Sequence, residues 1–268
     1  MRTATAMRWP GSVRRMSAKV LVLRPISHAE ADAAVKRWHY SGTVLNNSQL
    51  HMGVFYQGRL EGAMQFGPSM DKRKLIGLVA GTGWNEFIEL NRLALSDALP
   101  RNSESRALAV AMKLLRTHAP HLKWVVSFAD GAQCGDGTIY RASGFVLTGI
   151  QPNDQIWVSG EGQRVFRHTM TANRAHLLGG GASVKPLKAA GFAPIPGFQL
   201  RYLYFLDPTA RERLTVPILP FSEIDRRGAR MYRGQKPCVG GATGSTPEVL
   251  SGDGGSSPTA TLPHSLDV

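Results

Sequence analysis

A chain of 268 residues with 43% hydrophobic side chains is long enough to bury a sizeable core without covalent staples. Its two cysteines, Cys134 and Cys238, exclude a disulfide or zinc framework, and no apolar run approaches the roughly 18 residues of a membrane helix. The formal net charge of +13 points instead toward a polyanionic partner.

The charge is unevenly spread. Residues 1–19 hold five basic side chains and no acid, residues 20–163 hold fourteen basic and twelve acidic, and residues 164–236 hold thirteen basic and four acidic. The tail from Pro237 has three acids and no Lys or Arg. The divisions expected are a disordered basic arm over 1–17, a catalytic domain over 18–170, a basic extension packed on it over 171–236, and a disordered Gly/Ser/Thr/Pro tail over 237–268. Without a signal-peptide h-region the cytoplasm is the expected location. Cys134 is read as a bystander or a reactive thiol.

In chain order, Lys19–Pro25 reads as a strand. Ser27 caps a helix whose apolar face is Ala34, Val35 and Trp38. That helix ends in Arg37-Trp38-His39-Tyr40-Ser41-Gly42, where His39 and Tyr40 either reach one cavity or serve as cap and core. His51–Tyr56 and Leu60–Phe66 form a hairpin across Gln57-Gly58-Arg59. Pro68–Thr82, centred on Lys72-Arg73-Lys74, reads as a long polar loop, either solvated or in contact with phosphates.

The central stretch follows. Glu89–Ser96 has strand character, and Ala107–Arg116 places Leu108, Met112 and Leu115 on a helical period. Between them lies a turn, Pro100–Arg106, in which Ser103 and Ser105 are the expected caps. A strand leading into a helix N-terminus offers N–H groups and a positive helix end to an anion, or is an ordinary connection that binds nothing. Lys123–Asp130 then reads as a buried strand. Thr138–Ser143 is a short helix closed by Gly144, and Phe145–Thr148, Ile156–Val158 and Val165–Met170 are closing strands. His176–Gly181 looks like a hinge, Lys185–Gly191 a short basic segment, and Gln199–Leu206 a strong strand. Arg226, Arg227, Arg230 and Arg233 make a candidate phosphate-binding cluster.

The order strand, loop, helix, strand, Asp loop, Tyr-bearing helix resembles the second half of the GNAT acyltransferase fold: α/β, with a mixed central sheet flanked by helices. In that fold the loop before the long helix holds coenzyme A pyrophosphate. Here Arg101 fits that loop pattern, whereas Glu104 and Arg106 stand where small residues are usual. Trp38-His39-Tyr40-Ser41, Asn46-Asn47-Ser48, His51–Phe55, Glu89–Leu93, Pro100–Arg106, Ser127–Asp130 and Tyr140–Phe145 together resemble the Mom family of bacteriophage DNA-modification proteins, over roughly residues 35–170.

That resemblance implies a transferase acting on adenine N6 of double-stranded DNA, giving a carbamoylmethyl (acetamido) adenine that protects phage DNA from host restriction. It implies catalytic and iron-binding roles for His39, Tyr40, Asp130 and Tyr140, and an acetyl-CoA or related donor site touching Arg92 and Ser105, beside Arg101 and Ser103. His, Asp and two phenolates are ligands that a hard iron accepts. In the rival acid–base role, Asp130 or His39 takes the N6 proton and a tyrosine protonates the leaving group. A stacked adenine must be flipped out, and Trp38, Phe66 and Trp84 are candidate platforms. The partner expected is duplex DNA and not a membrane, with monomer or dimer left open. The competing readings are an ordinary GNAT N-acetyltransferase and a non-catalytic DNA-binding protein on a GNAT-like scaffold.

Overall fold

A computed structural model describes residues 17–132, 135–154, 156–166 and 184–230. The chain divides into two units, Met1–Pro237 and Cys238–Val268, the second lying wholly outside the described residues. The expected hinge over 176–181, both cysteines and Arg233 lie outside them too.

The first unit is built on a seven-stranded sheet. The expected strand from Lys19 is shorter than its pattern suggested. Ser17 accepts the Lys19 N–H and starts a 3-10 turn over Ala18–Val20, so β1 spans only Val22–Pro25. Helix α1 (His28–Trp38) begins with a capping box: Ser27 Oγ accepts from Glu30 N–H, and Glu30 accepts from Ser27 N–H. Ala31 and Ala34 are small enough to seat the helix on Ala63 of the sheet. Strands β2 (Leu50–Tyr56) and β3 (Arg59–Gly67) join through Gln57-Gly58, both at positive φ (50° and 80°), the geometry of a two-residue hairpin turn.

The expected polar loop is largely tethered. Lys72–Leu75 (α2) and a 3-10 turn over Ile76–Leu78 bury Leu75, Leu78 and Val79 against Phe87 and Trp124. The Trp124 indole N–H donates to Thr82 Oγ1 at 3.1 Å. These apolar residues, spaced among lysines and glycines, decide the packing where the local charge suggested solvent.

Strand β4 (Phe87–Leu95) leads through the turn into α3 (Ser103–His118) and back into β5 (Trp124–Asp130). Helix α3 buries Ala107, Leu108, Ala111, Met112 and Leu115, one helical stripe, against the sheet. Helix α4 (Thr138–Ala142), strand β6 (Val146–Pro152), and β7 (Ile156–Val158) with β8 (Arg164–Phe166) follow as expected. Residues 167–170 of the expected last strand lie outside the described residues.

The boundary at residue 170 does not hold. Helix α5 (Lys185–Ala189) and β9 (Ala193–Pro194) lead to β10 (Phe198–Phe205), which pairs antiparallel with both β5 and β6. The sheet order is β1-β2-β3-β4-β5-β10-β6, with β8-β7-β9 as a second small sheet. The segment expected to be an extension therefore supplies an interior strand, with Leu200, Tyr202 and Leu203 fully buried. A final short helix, α6 (Ser222–Arg226), sets Ile224 into the core.

Candidate active site

The site follows from where the sheet divides. Strands β4 and β5 pair in parallel only over Phe87–Glu89 and Trp124–Val126. Past that point β4 stays with β3 and β5 stays with β10. Ser127 sits at the division. Its hydroxyl lies 3.5 Å from the Leu90 carbonyl and donates to the Tyr140 phenol at 2.8 Å.

On the β4 side, the β3–β4 ladder shifts register: Gln65 pairs with Arg92, but Phe66 pairs with Leu90. Asn91 is thus the extra residue of a β-bulge, a device that re-aims side chains. Next to it, Arg92 Nη1 donates to the Asn91 carbonyl (2.8 Å) and Nε to the Thr43 carbonyl (3.1 Å), tying β4 to the loop after α1.

That loop opens with His39, the C-cap of α1, in extended conformation. Its Nδ1 accepts from the Ser41 N–H (3.2 Å) and lies 2.8 Å from Ser41 Oγ, which leaves the proton on Nε2. Burial, then the nearby Arg92 charge, lowers its pKa to about 3, so the imidazole is neutral and a poor base. Tyr40 packs against it with ring centroids 4.2 Å apart and planes tilted by 33°, and is 54% exposed. Its phenol and the Glu89 carboxyl both favour the Arg92 charge, against burial.

Glu89 belongs to one of the family-like motifs, but its residue type and spacing pointed to no role, and it is the most perturbed acid here. Burial pushes its carboxyl up to about 7, and Asp71 pushes the same way, more weakly. Ser69, Arg92 and Asn91 favour the anion. Asn91 is the weakest of these three, a marginal amide–carboxyl contact outside ordinary hydrogen-bond geometry.

Across the division, Asp130 ends β5. Its Oδ1 accepts from Ala132 N–H at 2.9 Å, and burial raises its pKa. Tyr140 is buried, packed against Tyr202 and Phe145 (centroids 5.1 and 5.3 Å). The structure thus gathers His39, Tyr40 and Arg92 on the α1–β4 side. Asp130 and Tyr140 sit at the β5–α4 side. Among the described residues no three His, Cys, Asp or Glu side chains come together to hold a metal ion. Of the expected iron set, only His39 and Asp130 are of those types; the other two are the phenols Tyr40 and Tyr140.

At the donor end the expected caps are not caps. Asn102 stands at the N-cap in the left-handed region (φ 68°) and places no side chain on the first-turn N–H groups. Ser103 is 1% exposed and donates back to the Pro100 carbonyl; Ser105 donates to the Asn102 carbonyl (3.2 Å). The first turn of α3, beside exposed Arg101, favours an anion through its helix N-terminus, with exposed Glu104 opposing it. Of the candidate base platforms, Phe66 is fully buried core, Trp38 is half-buried, and Trp84 is 53% exposed with Lys72 Nζ 4.7 Å above its ring. Among the described residues no helix is long and apolar enough to cross a membrane.

Of the expected arginine cluster, Arg226, Arg227 and Arg230 already have acidic neighbours. Arg226 and Arg227 both bond Glu223, which holds that carboxyl down at about 2. Arg230 lies 3.6 Å from Asp225 and 3.9 Å from Asp136.

A mixed seven-stranded sheet that parts beside a helix N-terminus defines an α/β fold with a cleft where β4 and β5 separate. The model of the Mom protein family matches residues 20–223, and the chain belongs to that family. It is 35% identical over 212 residues to the "Methylcarbamoylase mom" of Escherichia phage Mu, covering 78% of this chain and 86% of that protein. Among solved structures it is similar to the ribosomal-protein-S18-alanine N-acetyltransferase of Escherichia coli (9% identity, 70% of this chain and 95% of that one, TM-score 0.39). It is also similar to an IAA acetyltransferase of Bacillus cereus (9% identity, 69% and 99%, TM-score 0.38).

Proposed function

We propose that this chain is a DNA-modifying transferase that places a carbamoylmethyl group on adenine N6 in duplex DNA and so shields the DNA from restriction. The observation that carries the reading is the polar site where β4 and β5 part, holding Glu89, Asn91, Arg92 and His39, in a chain related along most of its length to a protein named a methylcarbamoylase.

Adenine N6 is a weak nucleophile, its lone pair delocalised into the ring, and it must leave the stack to react. Trp84, exposed and flanked by Lys72, offers a platform next to phosphate-binding charge. Glu89 titrates near neutrality and takes the proton that N6 loses, the work a base with a pKa near ambient pH does best. Neutral His39 presents Nε2–H as a donor rather than a base. The first turn of α3 with Arg101 would hold the pyrophosphate of a coenzyme A-type donor; acyl transfer alone gives an N6 amide, so the N6–CH2 bond and the terminal amide nitrogen of the carbamoylmethyl group require a further step with its own nitrogen donor. In this reading Arg92 and Ser105 border the coenzyme A-type donor, and Tyr140, whose phenol accepts from Ser127, returns a proton to the leaving group.

Expression in a bacterial host, followed by mass spectrometry of the digested nucleosides, tests the reading. Carbamoylmethyladenine with the intact chain and none with Glu89→Gln is the result expected. Unmodified adenine from the intact chain overturns it.

A further inference from the structure

Around the bulge of β4, on β4, β3 and the loop before β2, stand three carboxamides with buried atoms that lack partners among the described residues. Asn91 is only 7% exposed, yet neither its Nδ2 nor its Oδ1 has a hydrogen-bond partner among the described residues. Gln65, fully buried, donates through Nε2 to Asp32 Oδ1 (2.7 Å) and leaves Oε1 unpartnered. Asn47 donates to the Pro68 carbonyl (2.7 Å) and likewise leaves Oδ1 unpartnered.

Asn91 is the extreme case, with donor and acceptor both unused. A buried polar group without a partner loses its hydration uncompensated, and leucine would fill nearly the same volume without that cost. Packing therefore gives no reason for an amide here. Gly67 makes room for it: a Cβ there would fall 2.7 Å from Asn91 Oδ1 and 2.5 Å from the Asn47 carbonyl oxygen. The neighbours of the amide are those of the reaction centre, with Glu89 close enough to feel it and Arg92 bonded to its backbone carbonyl.

We propose that the Asn91 carboxamide reads the acceptor base, taking an exocyclic amine and the adjacent ring nitrogen as a bidentate pair. The inference rests on adenine being the acceptor. Asn91 Oδ1 accepts one N6–H while Nδ2 donates to the neighbouring ring nitrogen. This holds the amine with its other hydrogen toward Glu89. Adenine offers that donor–acceptor pair on two edges, N6 with N7 and N6 with N1. The segment Gly42–Gln49, which carries no helix or strand and is tied to Arg92 through Thr43, covers the amide. Entry of the base displaces this cover.

Asn91→Leu, Asn91→Asp and the intact chain are compared for modified adenine in host DNA and for thermal melting. Asn91→Leu is expected to melt at or above the temperature of the intact chain while modification falls about 10- to 100-fold, the worth of a bidentate base contact. Asn91→Asp, which keeps an acceptor but not the donor, falls with it. Single-stranded oligonucleotides carrying one adenine in a pyrimidine run, or 7-deazaadenine or 1-deazaadenine in its place, are then bound to each protein. One replacement weakens binding to the intact chain, naming the edge, and leaves binding to Asn91→Leu unchanged. Active wild type with an equally active Asn91→Leu overturns this inference alone. So does an Asn91→Leu that melts lower and keeps full activity per folded molecule, or an intact chain indifferent to both replacements. An intact chain that leaves adenine unmodified overturns the functional reading, and this inference with it.

Discussion

Ser127 donates a 2.8 Å hydrogen bond to the Tyr140 phenol at the point where β5 leaves β4. The bond orients a buried tyrosine on the β5–α4 side of the divided sheet. Tyr140→Phe keeps the ring packing against Tyr202 and Phe145 and removes only the oxygen. The variant should lose about 1 kcal/mol of stability and all detectable modified adenine. Ser127→Ala should fold and show reduced modification. A Tyr140→Phe protein with wild-type levels of modified adenine would make Tyr140 a core residue and nothing more.

The Glu89 carboxyl gives the pH dependence a sign. Its pKa is raised from 4.5 to about 7, so the folded state binds the proton more tightly than the unfolded chain. The stability it contributes is complete below about 4.5 and is lost as pH rises through about 7. Glu89→Gln should therefore melt at a temperature that varies less over that window and is higher than wild type at pH 8. Activity should move oppositely: a rising limb near pH 7 in the intact chain, absent together with the activity in Glu89→Gln. An unchanged rising limb in Glu89→Gln would assign the base elsewhere, with Asp130 the next candidate.

The donor end can be read by calorimetry with coenzyme A. The first turn of α3 is uncapped by side chains, and Glu104 lies within it. Glu104→Gln should tighten binding, and Arg101→Ala weaken it, each by about 2- to 5-fold, the scale of a charge acting at a helix end. Tight binding indifferent to both changes would place the donor away from this turn.

Much of the scaffold was legible because periodicity carries it. The Ser27/Glu30 capping box, the Gln57-Gly58 hairpin and the α3 stripe follow from local rules, and all are present. Pairing partners are not local. Gln199–Leu206 reads as a strand from its own residues, but nothing in it says that it pairs with β5 and β6, so residues after 170 looked appended. The site divides the same way. His39, Tyr40, Arg92, Asp130 and Tyr140 stood out by residue type or resemblance. Glu89 and Asn91 did not, because an acid and an amide on a strand look like a solvated face until the bulge turns Asn91 inward and burial shifts Glu89. The expected caps Ser103 and Ser105 failed for a related reason: the preceding Asn102 adopts a left-handed conformation, and the serines bond carbonyls behind them.

The salt dependence of DNA binding separates two sources of positive charge. Sequence alone suggested Arg226, Arg227, Arg230 and Arg233 as phosphate contacts. Arg226 and Arg227 instead share Glu223, which is only 12% exposed, and Arg230 stands near Asp136 and Asp225. An arginine already neutralised by a carboxylate releases few counterions when DNA binds, so it adds little to the slope of log affinity against log salt. Arg226→Gln with Arg227→Gln should leave that slope unchanged and shift the melting temperature little, because both guanidiniums stand well exposed to water. The α2 segment differs. Arg73 is exposed, Lys74 has only a 3.6 Å partner in exposed Asp71, and Lys72 lies over Trp84. Replacing Lys72, Arg73 and Lys74 by Gln should weaken binding to all sequences alike and make the slope shallower by about one unit for each phosphate no longer neutralised. If the α6 pair flattens the line and the α2 triple does not, the DNA track runs past α6, and the Glu223 pairs open when DNA binds.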